Sequence, residues 1–141
     1  MIRKLQKTDI NRVADIWLET NLKAHCFIPS QYWESNFETV KEMLSQAEVY
    51  VYETDQKIQG FIGVNEEYIE GIFVCNEMQS QGIGKILLEH IKNKKPKLLL
   101  NMYQKNTRAI HFYQREGFKI QCEGADETTG ETDYVMAWQQ K

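Results

Sequence analysis

The chain has 141 residues, 42% hydrophobic and 26% charged, with a formal net charge of −3. That is enough chain to bury one core, and the slight acidity argues against nucleic-acid binding, which favours a strong basic patch. Cys26, Cys75 and Cys122 are odd in number, widely spaced and lack a Cys-x-x-Cys pair, so neither a disulfide framework nor a metal site is expected. No apolar stretch reaches membrane-spanning length and no signal peptide is recognised, so the expectation is a cytoplasmic protein that does not enter a membrane.

Met1 to Lys4 reads as a short first strand. Asp9 is a candidate cap for a helix whose one-sided apolar spacing runs through Ile10, Val13, Ala14, Trp17 and Leu18. Residues 22–29 break that pattern and end at Pro29. Ser30 then opens a second helix burying Phe37, Val40 and Leu44. Val49 to Glu53 and Ile58 to Val64 alternate as strands about the polar turn at 54–57, a hairpin. Tyr68 to Val74 follows as a further strand. Ile83, Leu87 and Ile91 recur every four residues, which predicts a helix. The run Lys92-Asn93-Lys94-Lys95-Pro96-Lys97 reads as its solvated basic end, with Pro96 as the stop. Lys97 to Tyr103 is a strand. Asn106 opens a helix carrying Ala109, Phe112 and Tyr113, and Gly117 ends it. Phe118 to Glu123 and Asp133 to Trp138 are the last two strands. The order β, α, α, three β, α, β, α, β, β predicts one mixed α/β (α+β) domain over 1–141.

Between the strand ending at Val74 and the helix from Ile83 lies Gln79-Ser80-Gln81-Gly82-Ile83-Gly84-Lys85. A strand that turns through glycines into a helix aims backbone N–H groups and the positive helix end at one spot, which suits phosphate. The spacing fails the Walker pattern, because Ile86 follows Lys85. It also fails the dinucleotide fingerprint, because Leu87 occupies the third glycine position. Gln79, Gly82 and Gly84 do match a Gln/Arg-x-x-Gly-x-Gly/Ala turn. One strand later comes Asn106-Thr107-Arg108-Ala109-Ile110-His111-Phe112-Tyr113-Gln114-Arg115-Glu116-Gly117-Phe118.

Together these two segments resemble the coenzyme A signature of the GNAT acyltransferase superfamily, and the element order fits along nearly the whole chain. The resemblance implies a largely antiparallel twisted sheet of six to seven strands flanked by about four helices. It also implies acetyl-coenzyme A as co-substrate and direct transfer to a primary amine of a small molecule or peptide. The amides of Gln81, Gly82, Ile83, Gly84 and Lys85 would cradle the pyrophosphate, with Gln79 in the same turn. The pantetheine arm would lie along the strand end at Phe73 and Val74, which requires the neighbouring strands to splay. Asn106 would bond that arm, and Tyr113 would face the sulfur. The chemistry fits these roles. A backbone N–H near Val74 suits the oxyanion formed when a thioester is attacked, and a tyrosine can protonate the departing thiolate. On periodicity alone, Tyr113 reads first as part of a buried aromatic stripe; Asn106 and Gly117-Phe118 beside it turn the reading toward the acid.

An attacking amine must first lose a proton. Glu70 is the candidate base, because strand alternation places it on one face with Ile72 and Val74; a surface glutamate is the competing reading. Some family members carry a glutamate five residues before the motif asparagine, where this chain has Asn101. The acceptor side is expected from the first two helices. His25, Phe27, Tyr32 and Trp33 crowd into a short apolar loop region, with Asn101 and Tyr103 as further wall candidates. Trp17 and Trp33 read first as aromatics sealing helices onto the sheet, and His25 reads equally as a side chain bonded to a backbone carbonyl. Asp126, Glu127 and Glu131 offer negative charge to a cationic acceptor. A non-catalytic coenzyme A-binding sensor or partner-binding module is the alternative function, a protein lysine or N-terminal acetyltransferase is the alternative within the same class, and monomer and homodimer both fit.

Overall fold

The computed structural model describes residues 1–140. Seven strands form one sheet: β1 (Ile2–Lys4), β2 (Glu48–Thr54), β3 (Lys57–Asn65), β4 (Tyr68–Val74), β5 (Lys97–Tyr103), β6 (Lys119–Ala125) and β7 (Thr132–Gln139). Their spatial order is β1-β2-β3-β4-β5-β7-β6. Five α-helices accompany them: α1 (Ile10–Ala24), α2 (Ser30–Ser35), α3 (Phe37–Leu44), α4 (Ile83–Lys92) and α5 (Thr107–Arg115). Among the described residues, no helix is long and apolar enough to cross a membrane.

Alternation along the strands sorts the core into two layers. Val13, Ala14 and Ile16 of α1 and Leu44 of α3 pack on Val49, Val51, Ile58 and Phe61. On the opposite face, Leu87, Leu88 and Ile91 of α4 and Ile110 and Tyr113 of α5 pack on Ile62, Ile69, Leu98, Leu100 and Met136. Every strand pairing is antiparallel except β4 with β5, which is parallel and holds a single register pair, Tyr68↔Leu99. The sequence suggests parallel crossings at both later helices. At the second, β7 inserts between β5 and β6 and pairs antiparallel with both.

Two helix starts depart from expectation for local reasons. Asp9 does not cap α1. Its carboxylate accepts a bidentate pair from Arg3, at 2.7 and 3.1 Å, and the Gln6 N–H at 2.7 Å, closing a 3-10 turn before the helix. The Arg3 guanidinium holds the Asp9 carboxyl below the ordinary carboxylate range. The helix predicted from Ser30 is two helices, divided at Asn36. Its Nδ2 donates back to the Tyr32 carbonyl at 2.6 Å, a local bond that competes with the helical ladder.

The end of α5 follows the sequence closely. Gly117 at φ 96° continues the chain, and the Phe118 N–H donates to the Tyr113 carbonyl at 2.9 Å, the bonding that closes a helix C-terminus. A Cβ at Gly117 would also approach Trp138 Cδ1 to 3.2 Å. The Lys92 ammonium donates to the Glu116 carbonyl and lies over the Trp138 ring at 5.1 Å, so α4 supplies a cation to the negative end of α5.

Candidate active site

Beyond Tyr68↔Leu99, β4 and β5 part. In the β3–β4 ladder the Cys75 N–H bonds the Gln59 carbonyl and the register pairs Phe61 with Phe73. The intervening residues Ile72 and Val74 therefore turn their peptide groups away from β3, into the gap. The Val74 carbonyl is taken there by Gln79 Nε2 at 3.0 Å, and its N–H has no partner among the described residues. On the far side, Gln104 N–H bonds the Thr132 carbonyl and Leu99 N–H bonds the Glu67 carbonyl, so Asn101 likewise turns its peptide groups toward the gap.

A cleft of about 1000 Å³ opens through this splay. On the α4 side, Gly82 at φ 86° forms the left-handed corner that starts the helix, a conformation glycine adopts without strain. No side chain caps α4, and the first helical bond runs from the Ile86 N–H to the Gly82 carbonyl at 3.0 Å. The amides of Ile83, Gly84 and Lys85 thus lack helical partners. Nothing lies within 4 Å of the Cβ direction of Gly82, so the corner is open to an incoming group. Arg108 of α5 donates to Gln79 Oε1 at 3.1 Å and Ser80 Oγ at 2.8 Å, holding the turn that precedes the corner. Lys85, Arg108 and Arg115 line this half of the cleft, with Glu116 as the acidic exception.

The α1 side is lined by Trp17, Asn21, His25, Trp33, Glu70, Asn101, Tyr103, Asp126 and Asp133. Glu70 reaches it by a route that alternation does not give. The register slips by one residue between Gly63 and Val64, leaving Glu70 as the extra residue of a β-bulge. The Glu70 Cβ lies 3.8 Å from where a Gly63 side chain would begin, beside Val49 of the α1 layer. Ile72 and Val74 pack instead on the α4–α5 layer. The expectation that all three share a face is therefore corrected: a bulge reverses the parity of the strand. Desolvation pushes the Glu70 carboxyl above its ordinary range.

Tyr103 donates to Asp126 Oδ2 at 2.8 Å. Burial pushes the Asp126 carboxyl up, but bonds from Tyr103 and the Thr128 and Thr129 backbone outweigh it and hold the group below the ordinary range. Tyr68 donates to Asn101 Oδ1 at 2.9 Å. Tyr113 lines the cleft from the α5 side and is 3% exposed; desolvation drives its phenol further up, so it stays protonated through the neutral range.

His25 and Asn106 meet in a way neither sequence reading anticipates. His25 Nδ1 lies 2.9 Å from Asn21 Oδ1, and His25 Nε2 lies 3.0 Å from Asn106 Nδ2. Asn106 Oδ1 accepts the Ala109 N–H at 3.2 Å, capping α5. So His25 bonds two asparagine side chains rather than a backbone carbonyl, and both of its nitrogens are occupied.

Of the residues expected at the site, Glu70, Phe73, Val74, Gln79, Gly82, Ile83, Gly84, Lys85, Asn101, Tyr103, Asn106, Tyr113, His25 and Trp33 line the cleft. Gln81, Phe27 and Tyr32 do not. Phe27 stands edge-on to His25 and Tyr103, each at 5.7 Å, and Tyr32 stands edge-on to Trp33 at 4.9 Å, so both back the wall. Asn21, Arg108 and Asp133 are lining residues the sequence reading missed. Asn21 carries a signal in retrospect, four residues before His25 and so one helical turn away. Arg108 also carries one, two residues after Asn106 within the second motif, whereas Asp133 carries none, since only the fold brings it to the cleft.

The family model for the acetyltransferase (GNAT) domain matches residues 45–120. The chain is 36% identical to the peptidyl-lysine N-acetyltransferase YiaC of Escherichia coli strain K12, over 98% of this chain and 96% of that protein. Its backbone superposes on the solution structure of apo-form YjaB from Escherichia coli with a TM-score of 0.88 at 22% identity, covering 100% of this chain and 98% of the other. It superposes on the PaiA N-acetyltransferase of Thermoplasma acidophilum, solved with coenzyme A, with a TM-score of 0.81 at 19% identity, covering 99% and 98%. The chain belongs to the GNAT acetyltransferase family and is an N-acetyltransferase enzyme.

Proposed function

We propose that this protein moves an acetyl group from acetyl-coenzyme A directly to the side-chain amine of a lysine in a peptide or protein. The observation that carries the reading is the splay between β4 and β5, with unpaired backbone groups on its edges, an uncapped helix start at one end and opposite charges on its two sides. Three features fit the coenzyme. The open corner at Gly82 and the amides of Ile83, Gly84 and Lys85 suit its diphosphate. Lys85, Arg108 and Arg115 add cationic charge beside it. The edge at Ile72 and Val74 offers its arm the bonds of an added strand. When bound there, the coenzyme supplies a thioester carbonyl open to attack by an amine.

The residues then divide the work. Glu70, on the α1 side, takes a proton from the incoming ammonium, directly or through water, so that nitrogen bonds the acetyl carbon. The Val74 N–H offers a hydrogen bond to the carbonyl oxygen as it gains negative charge. As the carbon–sulfur bond breaks, Tyr113 supplies the proton that the sulfur needs, and the proton the acetylated nitrogen still has to lose returns through water to the tyrosinate. No cysteine lines the cleft among the described residues, and the Cys75 thiol is buried on Gln59 Oε1 at 3.3 Å, which favours direct transfer over an acyl-enzyme. Glu70, Asp126 and Asp133 favour a cationic acceptor. The naming of the relative YiaC as a peptidyl-lysine enzyme favours a lysine side chain over a free small amine.

The acceptor is tested with a panel of lysine peptides, free amino acids, polyamines and aminoglycosides at equal concentration, reading free thiol. Lysine peptides are expected to give the highest kcat/KM. A polyamine or aminoglycoside that outperforms every peptide would replace the peptide reading with a small-molecule one.

A further inference from the structure

A hydrogen-bond chain crosses the cleft from α1 to α5, and each link has only one possible direction. Asn21 Nδ2 donates to the Trp17 carbonyl at 2.9 Å, which leaves Asn21 Oδ1 to accept from His25 Nδ1. At the other end, Asn106 Oδ1 is committed to the Ala109 N–H, so Asn106 Nδ2 donates to His25 Nε2. His25 must therefore be neutral, with its proton on Nδ1. Burial agrees, lowering the imidazole pKa to about 4. The ring cannot tilt freely either. It stacks on Trp33 at 5.4 Å and meets Tyr103 edge-on at 5.0 Å.

The consequence falls on Asn106. With Oδ1 on Ala109 and one Nδ2 hydrogen on His25, the plane of its carboxamide is fixed, and one Nδ2 hydrogen is left over on a residue that lines the cleft. We propose that His25 is a positioning residue: as an Nδ1–H imidazole it orients Asn106 so that the free Nδ2 hydrogen is presented to a carbonyl oxygen of the coenzyme's pantetheine arm. This rests on the coenzyme reading above. It also gives His25 a role on the coenzyme side of the reaction, although the residue caps the C-terminus of the helix that forms the acceptor wall.

The test compares His25→Phe, which keeps an aromatic ring for Trp33 and Tyr103 to pack on, with His25→Gln, whose side-chain oxygen can accept from Asn106. Titration calorimetry with coenzyme A is expected to show affinity weakened about fivefold or more in the Phe variant, the size of one lost hydrogen bond. The acetyl-coenzyme A KM should rise in parallel while kcat changes less than about twofold, and the Gln variant should restore most of the affinity. Asn106→Ala should weaken binding similarly, and His25→Phe added to it should weaken binding no further. Nitrogen NMR of the wild-type imidazole is an independent check, expected to show the Nδ1–H tautomer. An Nε2–H tautomer, or a folded His25→Phe protein that binds coenzyme A as wild type does, would overturn the proposal. A wild-type protein that did not bind coenzyme A would remove the coenzyme reading itself, and the proposal with it.

Discussion

Tyr113 and Glu70, the proposed acid and base, are side chains of ordinary type whose environments shift them in the same direction. Both move upward in pKa by desolvation, with opposite consequences. For the tyrosine the shift guarantees a proton to give; for the glutamate it brings a carboxylate nearer the pH at which a base is useful. Tyr113→Phe is expected to lower kcat by at least about tenfold, the lower side of what a positioned acid contributes, while coenzyme A affinity by calorimetry stays within about twofold. An unchanged kcat would remove Tyr113 as the proton donor. For Glu70 the sign follows from the active form being the deprotonated one. The wild-type rate should rise through a carboxyl pKa above the ordinary value of about 4.3. In Glu70→Gln the amine must shed its proton to solvent, so the deficit should be greatest between the raised carboxyl pKa and neutrality, vanish below that carboxyl pKa, and shrink toward the amine pKa of about 10.4. A variant whose pH–rate profile overlays that of wild type would discard Glu70 as the base.

At the scale of elements, the strand ends and the helix starts were legible in different measure. The glycine turn, the Asn106 cap and the Gly117 stop each combine residue type with position, and they stand where the sequence places them. The bulge at Glu70 was not legible, because the residues around it alternate acceptably in either parity and only pairing with Gly63 and Val64 reveals the slip. The break at Asn36 was hidden for a similar reason: an apolar spacing that continues through Phe37, Val40 and Leu44 does not report a side chain turned back onto Tyr32. The α4 corner yields its own prediction. Gly82→Val places a branched side chain at φ 86°, where non-glycine residues are strained, and fills the space open to the coenzyme diphosphate. Coenzyme A affinity should fall by about tenfold or more, a loss of about 1.4 kcal/mol. Calorimetry returning wild-type affinity from a folded variant would contradict the assignment of that corner to phosphate.

For the whole molecule, sheet topology decides what the sequence could only imply. The one parallel junction in an otherwise antiparallel sheet, β4 with β5, holds at a single register pair, and the cleft follows from the parting of the two strands beyond it. Helices on both faces then give it two unlike sides, α4 and α5 with Lys85, Arg108 and Arg115, and α1 with Glu70, Asp126 and Asp133. Motifs close in sequence located the first side. The second is assembled from α1, β4, β5, the β6–β7 connection and β7, so Glu70 and Asp126 were named without their relation to one another, Asp133 was not named at the site, and Phe27 and Tyr32 could not be told from true wall residues.

The proposed reaction in this cleft moves an acetyl group from a thioester to a lysine amine. The most direct measurement is mass spectrometry of a lysine peptide incubated with purified protein and acetyl-coenzyme A, with free thiol quantified in the same sample. Acetyl-lysine and thiol are expected in equal amounts, with both strongly reduced in Tyr113→Phe. Thiol release without acetylated peptide, or neither product from protein that binds coenzyme A, would contradict it.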